Sequence, residues 1–192
     1  MKEKKSIYTI LQSASPNFSI PNIKINNTEL TDERISDLDS QPFVFSYSSF
    51  KNSDFRNMTF VKINFESSYF ENCIVENTVF EDTIFTNAQF NKCVFKNCQF
   101  LQGTYYEMDG CETIFNECTF FKTGLGNSIF DRCHFMNSTF DNVDVALLGS
   151  SVLTDSKLSN FKKSIEFKGS LYFSSIIDVF NKIIEPDEDN EA

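Results

Sequence analysis

The chain has 192 residues, 41% of them apolar, with 27 acidic against 17 basic side chains and a formal net charge of −10. That is enough apolar material for the core of one elongated domain, and the acidic balance excludes a basic nucleic-acid reader as the default. Phenylalanine dominates the aromatic content, with 23 Phe, 6 Tyr and no Trp.

Residues 1 to 42 hold three of the four prolines, Pro16, Pro21 and Pro42. They mix strand-like pieces such as "NFSIPNIKIN" with a short helix predicted at "TDERISDLD", and are expected to cap the bottom of whatever follows. "KEKKSIYTILQSAS" begins basic, but its apolar run of about five residues is shorter than a signal peptide's core. No stretch is long and apolar enough to be expected to span a membrane.

From residue 43 the chain counts in fives. "FNKCVFKNCQF", residues 90 to 100, shows the pattern, with Phe90, Phe95 and Phe100 five apart. Five residues turn a helix by about 500°, and on a flat strand they alternate faces, so neither ordinary period keeps these rings together. A chain that buries every fifth residue must turn a corner once per repeat. Of the 21 positions at this spacing from Phe45 to Val145, 16 are Phe; the others are Val75, Tyr105, Gly110, Leu125 and Val145. Two residues before each site the side chain is mostly small, as at Ser53, Cys73, Thr83 and Ala88. Two residues after it Asn recurs, as suits a turn.

This alternation of small, variable, large apolar and two polar residues resembles the pentapeptide repeat family. The resemblance covers residues 43 to 147 and implies a right-handed quadrilateral parallel β-helix, an all-β solenoid with four pentads per coil, about five coils here. Members of similar size, the Qnr and MfpA proteins, resemble duplex DNA in shape and charge and bind DNA gyrase in its place. Family topoisomerase binders carry loops inserted between pentads; here the register survives, so no insertion is expected before residue 145.

The pattern resumes at "ALLGSSVLTDSKLSN", three residues out of phase, which reads as a short insertion; the solenoid is therefore bounded at 43 to 160. Residues 161 to 192 are expected to form a C-terminal helix and an acidic tail. Phe173, Ile176, Ile177, Phe180, Ile183 and Ile184 fall on one helical face, suited to a lid on the last coil or to a homodimer interface of the kind some family members use.

Five of the six cysteines, Cys73, Cys93, Cys98, Cys118 and Cys133, occupy the small inward slot. Stacked one coil apart, at about 4.8 Å, their Cβ atoms are farther apart than a disulfide usually allows, so free buried thiols are predicted, as fits the cytoplasm. Their spacing matches no metal-ligand pattern.

No nucleophile and base pair and no glycine-rich phosphate loop is visible, and His134 stands alone at an outward position. An enzyme is not expected, nor any catalytic residue, cofactor, metal, direct nucleic-acid contact or membrane. Function is sought in rows of outward side chains. Residues 43 to 147 hold 13 acids and 7 bases, whereas DNA of the same height, about 24 Å, carries roughly 14 charges, so any DNA mimicry is diluted. Glu66, Glu71, Glu76 and Glu81 belt one coil. The face with acids and no bases holds Glu66, Glu107 and Asp144, the candidate acidic partner face. Leu101 and Phe121, stacked twenty residues apart, with Val61 and Tyr106, form a candidate apolar patch. Two functions follow. One is a DNA mimic that binds, and protects or inhibits, a bacterial type II topoisomerase, DNA gyrase or topoisomerase IV, with a role in antibiotic resistance. The other is an immunity or adaptor protein that holds another protein through the apolar patch.

Overall fold

The structure is a computed structural model and describes residues 2–14, 23–36, 45–125, 128–143, 146–147, 152–154, 157–159 and 172–173. It is an all-β parallel solenoid of about five turns. The first coil shows how it is built: β1 (Glu3–Lys4) and α1 (Ile7–Ala14) precede β2 (Lys24–Asn26), β3 (Thr28–Thr31) and β4 (Arg34–Ser36). Each of these last three strands starts one face. The first face stacks seven strands from β2 to Ala146–Leu147; the second stacks nine, from β1 through β3 to Tyr172–Phe173; the third stacks seven from β4 to Lys157–Ser159. On the fourth face the bridges are single, Asn64 to Ile84, Ile84 to Thr104 and Thr104 to Gly124, supplemented by corner hydrogen bonds such as Ser67 N–H to the Thr86 carbonyl (2.8 Å).

Pairing is parallel and offset by twenty residues along the body of the stack, so Phe50 sits under Phe70 and Phe80 under Phe100. Like residues therefore stack on like. Rings of one face lie nearly parallel, as for Phe100 and Phe120 (centroids 4.6 Å, 2°) and Phe115 and Phe135 (4.7 Å, 4°). Rings of adjoining faces meet edge to face, as for Phe60 and Phe65 (5.4 Å, 82°). The coil spacing of about 4.8 Å imposes the first arrangement and the corners the second, and both suit the aromatic quadrupole.

The small slot exists because its side chain is buried beside the next ring while its polar atom has a backbone partner within reach. Ser68 Oγ donates to the Phe65 carbonyl (2.6 Å), Ser128 Oγ to that of Tyr105 (2.7 Å) and Cys98 Sγ to that of Val75 (3.3 Å). Buried polarity is thus compensated locally. The corner residue two places after each large one adopts φ near +50 to +60°, at 21 non-glycine positions of which nine are Asn. Asn tolerates this left-handed region, and stacked Asn side chains add a ladder: Asn97 donates to Asn77 (2.9 Å), Asn77 to Asn57 (3.1 Å) and Asn57 to Asp32 (2.8 Å).

Four sequence expectations are revised. The helix predicted at "TDERISDLD" is not formed over its described residues, 31–36: Asp32 turns a corner at φ 60° and Arg34–Ser36 is a strand whose Ile35 pairs with Phe60 and is fully buried. Coil stacking thus reaches into the segment read as a cap. The helix that does form is α1, where Ser6 Oγ accepts the Tyr8 N–H (3.2 Å), Glu33 accepts that of Ile7 (2.9 Å), and Ile7 joins the core. The phase jump is a deletion. Phe135 pairs with Leu153 and Phe140 with Leu158, an offset of 18, so the last coil is two residues shorter, with the loss between Thr139–Asp141 and Ala146–Leu147. Conversely Ile25 pairs with Phe50 and Leu30 with Phe55, an offset of 25, which places five extra residues between Ser36 and Phe45. Finally, Phe173 lies on a strand, not a helix: Tyr172–Phe173 pairs with Val152–Leu153, extending the second face. Ile176, Ile177, Phe180, Ile183 and Ile184 lie outside the described residues.

Candidate protein-binding surface

Because coils stack in register, each outward position becomes a column, and a charge meets its neighbours one coil above and below. On the first two faces several of those neighbours are of opposite sign. Lys51 pairs with Glu71 (2.7 Å), and Arg132 reaches Glu112 (3.4 Å) and Asp131 (3.2 Å). Arg56 bridges Asp54 (3.4 Å) and Glu76, and Lys96 meets Glu76 from above (3.6 Å). Each such pair is worth little to stability at an exposed site, but together they offset much of the field of these faces. Of the predicted belt, Glu71 and Glu76 are neutralised in this way.

Glu66 and Glu107 are not. Both stand on the fourth face, Glu66 just past Phe65 and Glu107 at a corner with φ 55°. Neither carries an ion pair among the described residues, and the described fourth-face residues contain no Lys or Arg. Asp144, the third residue of the candidate acidic face, lies outside the described residues. Two acids that sequence reading left out of that group, Glu81 and Asp82, likewise have no ion pair among the described residues and sit on the third face and at its corner with the fourth. Column alignment at a period of twenty would have found them.

The apolar candidates divide between two faces. Val61, Glu81, Leu101 and Phe121 form one third-face column, so Leu101 and Phe121 are direct neighbours while Glu81 separates them from Val61. The Lys122 ammonium lies 5.1 Å from the Phe121 ring centroid. Tyr106 is on the fourth face, 43% exposed, its ring lying over Gly124, where a Cβ would approach it at 3.5 Å. Tyr47 (57% exposed) and Ile84 (37%) share that face; neither was singled out from sequence. The column Ile74, Val94, Ile114 runs along the second face and continues through exposed His134 to Val152.

Among the described residues no group of three or more His, Cys, Asp or Glu is placed to hold a metal, and no helix is long and apolar enough to cross a membrane. All six cysteines are free; five are buried and Cys111, beside Arg132, is half-exposed. Burial pushes the Cys118 thiol far up, and that of Cys133 up to about 12.

The sequence model "Pentapeptide repeats" matches residues 63–100 as eight copies, within the segment where the register of twenty is unbroken. Residues 63–100 match the pentapeptide repeat family. No curated protein matches it. Among solved structures, full-length QnrB1, a plasmid-mediated fluoroquinolone resistance protein, is 13% identical over 88% of this chain and 89% of its own, with a TM-score of 0.42. A trypsin-treated variant of QnrB1 is 17% identical over 73% and 77%, with a TM-score of 0.41. HetL, a pentapeptide repeat protein involved in heterocyst differentiation regulation from the cyanobacterium Nostoc sp. strain PCC 7120, is 10% identical over 85% and 92%, with a TM-score of 0.28. The inward residues of this solenoid are packed into one buried core, so the side chains open to a partner are those of the outward columns.

Proposed function

We propose that this chain is a non-enzymatic, protein-binding solenoid whose partner is a bacterial type II topoisomerase such as DNA gyrase, engaged through the fourth face. One observation carries the reading: ladder ion pairs offset Glu71, Glu76 and Glu112 on the first two faces, whereas the described fourth face keeps Glu66 and Glu107 uncompensated and without bases beside exposed Tyr47, Ile84 and Tyr106. A surface that presents acids without bases fits a partner that normally holds DNA. The topoisomerase itself comes from the family resemblance. With so few uncompensated acids, apolar and aromatic contacts must supply affinity that a full DNA mimic would draw from charge.

The test is a gyrase supercoiling assay with the purified protein titrated in, with and without a quinolone. Inhibition, or rescue from the drug, supports the reading; no effect at high protein removes the topoisomerase as partner. A second reading, an immunity or adaptor protein, is favoured by the direct stacking of Leu101 on Phe121.

A further inference from the structure

Between the coils of Val61 and Phe121 the third face has an uncharged inner column, Thr59, Val79, Gln99 and Thr119, and an outer column of Val61, Glu81, Leu101 and Phe121. Glu81 and its corner neighbour Asp82 carry no ion pair among the described residues. The bases of that corner column, Lys62 and Lys122, stand beside Val61 and Phe121 at the two ends, and Asp141 continues the outer column one coil beyond Phe121, so between Val61 and Phe121 the acids are those of Glu81's coil. The result is a flat, uncharged strip edged by three apolar side chains with two acids set among them.

We propose that this strip is the docking site for a cationic amphipathic helix of a partner protein, lying along the solenoid axis. The inference rests on the reading of the chain as a protein-binding solenoid and names the chemistry of one partner segment. Pitch selects a helix over an extended peptide. The coils repeat about every 4.8 Å and an α-helix turns every 5.4 Å, so a helix along the axis meets one coil per turn. From Val61 to Phe121 is three coil spacings, about 14 Å, and ten helical residues rise about 15 Å. An extended segment, at about 3.3 Å per residue, brings same-face side chains every 6.6 Å and falls out of step within two coils. Charge selects the sign. The helix turn facing Glu81 and Asp82 carries Lys or Arg at about i+3 or i+4, and the turns facing Val61, Leu101 and Phe121 carry apolar residues at about i, i+7 and i+10, a one-faced helical pattern.

The experiment is fluorescence anisotropy with the full chain and a labelled synthetic peptide of Leu and Lys, its leucines on one helical face, against a scrambled peptide of the same composition. The amphipathic peptide is expected to bind at least tenfold more tightly. L101A/F121A is expected to weaken it at least tenfold while circular dichroism stays native, F121L to retain binding, and E81Q/D82N to weaken binding and flatten its salt dependence. Equal binding of the scrambled peptide, unchanged binding by L101A/F121A, or no binding at all overturns the proposal. The gyrase assay is independent: its failure leaves the peptide result standing, and the peptide's failure leaves the fourth-face reading standing.

Discussion

Gly103 and Tyr105 form a matched pair. Tyr105 occupies a position that is otherwise almost always Phe, and its hydroxyl, hydrogen-bonded to Thr83 Oγ1 at 3.0 Å, stands 2.4 Å from where a Cβ on residue 103 would lie. The Thr83 carbonyl is 2.5 Å from the same point. Gly103 is thus required by the larger ring beside it and by the neighbouring coil. Gly103→Ala is expected to destabilise the fold by about 1 to 3 kcal/mol. Tyr105→Phe in that background relieves only part of this, because the clash with the Thr83 carbonyl persists. Denaturant unfolding of the two variants measures it.

Inward and outward phenylalanines should separate stability from binding. Phe100 is 1% exposed and stacked between Phe80 and Phe120 at 5.1 and 4.6 Å. Its replacement by Ala should cost about 3 to 5 kcal/mol. Phe121, outward in the next coil, should cost little when truncated. Thermal melts of the two single variants make the comparison.

Asp109 gives a pH signature. Burial raises its carboxyl above the usual value, with Glu107 adding repulsion. A carboxyl with a raised folded-state pKa is least unfavourable when protonated, so it contributes no penalty at pH below its unfolded value near 3.8. The penalty appears as pH rises through that value and is complete above the folded-state value. Asp109→Asn should therefore stabilise the protein at neutral pH and make no difference at low pH. A gain at low pH alone would have the wrong sign.

The cysteines should react in two classes. In native, unreduced protein, Cys111 should alkylate readily because it is half-exposed, while the five inward thiols react only after denaturation, when all six are modified. Mass spectrometry counts the adducts; paired cysteines that resist alkylation after denaturation would contradict the packing account.

The five-residue count was legible from sequence because every large inward residue repeats the same environment: Phe50, Phe70 and Phe90 announce one column. Counting in fives is blind to other things. A gain of three and a loss of two leave the same phase, so the short final coil looked like an insertion until Phe140 was seen to pair with Leu158. A gain of five changes no phase, so the extra residues before Phe45 were invisible. Ile35 and Phe173 misled for another reason. Short apolar-polar stretches satisfy helical and strand periods alike, and stacking on a neighbouring coil decided for strand. On the surface, Glu66 and Glu107 were found by the absence of bases on their face. The neutralisation of Glu71 and Glu76 needed the geometry of Lys51, Arg56 and Lys96.

Asn77 offers a check on the corners. It sits at φ 52° and both donates to and accepts from its ladder neighbours. Asn77→Ala should cost about 1 to 2 kcal/mol by loss of the ladder and by strain at positive φ, and Asn77→Gly should cost less than Ala, because glycine removes the strain. Equal losses in chemical denaturation would show that the strain is not felt.

The most direct test of the fourth face as the contact is a binding measurement between gyrase holoenzyme and two charge-matched double variants, E66K/E107K on the fourth face and E71K/E112K on the first. The account predicts that the fourth-face variant loses binding while the first-face variant, whose acids already face Lys51, Lys92 and Arg132, keeps most of it. Equal loss in both would show that only net charge matters, and unchanged binding by E66K/E107K would contradict the site.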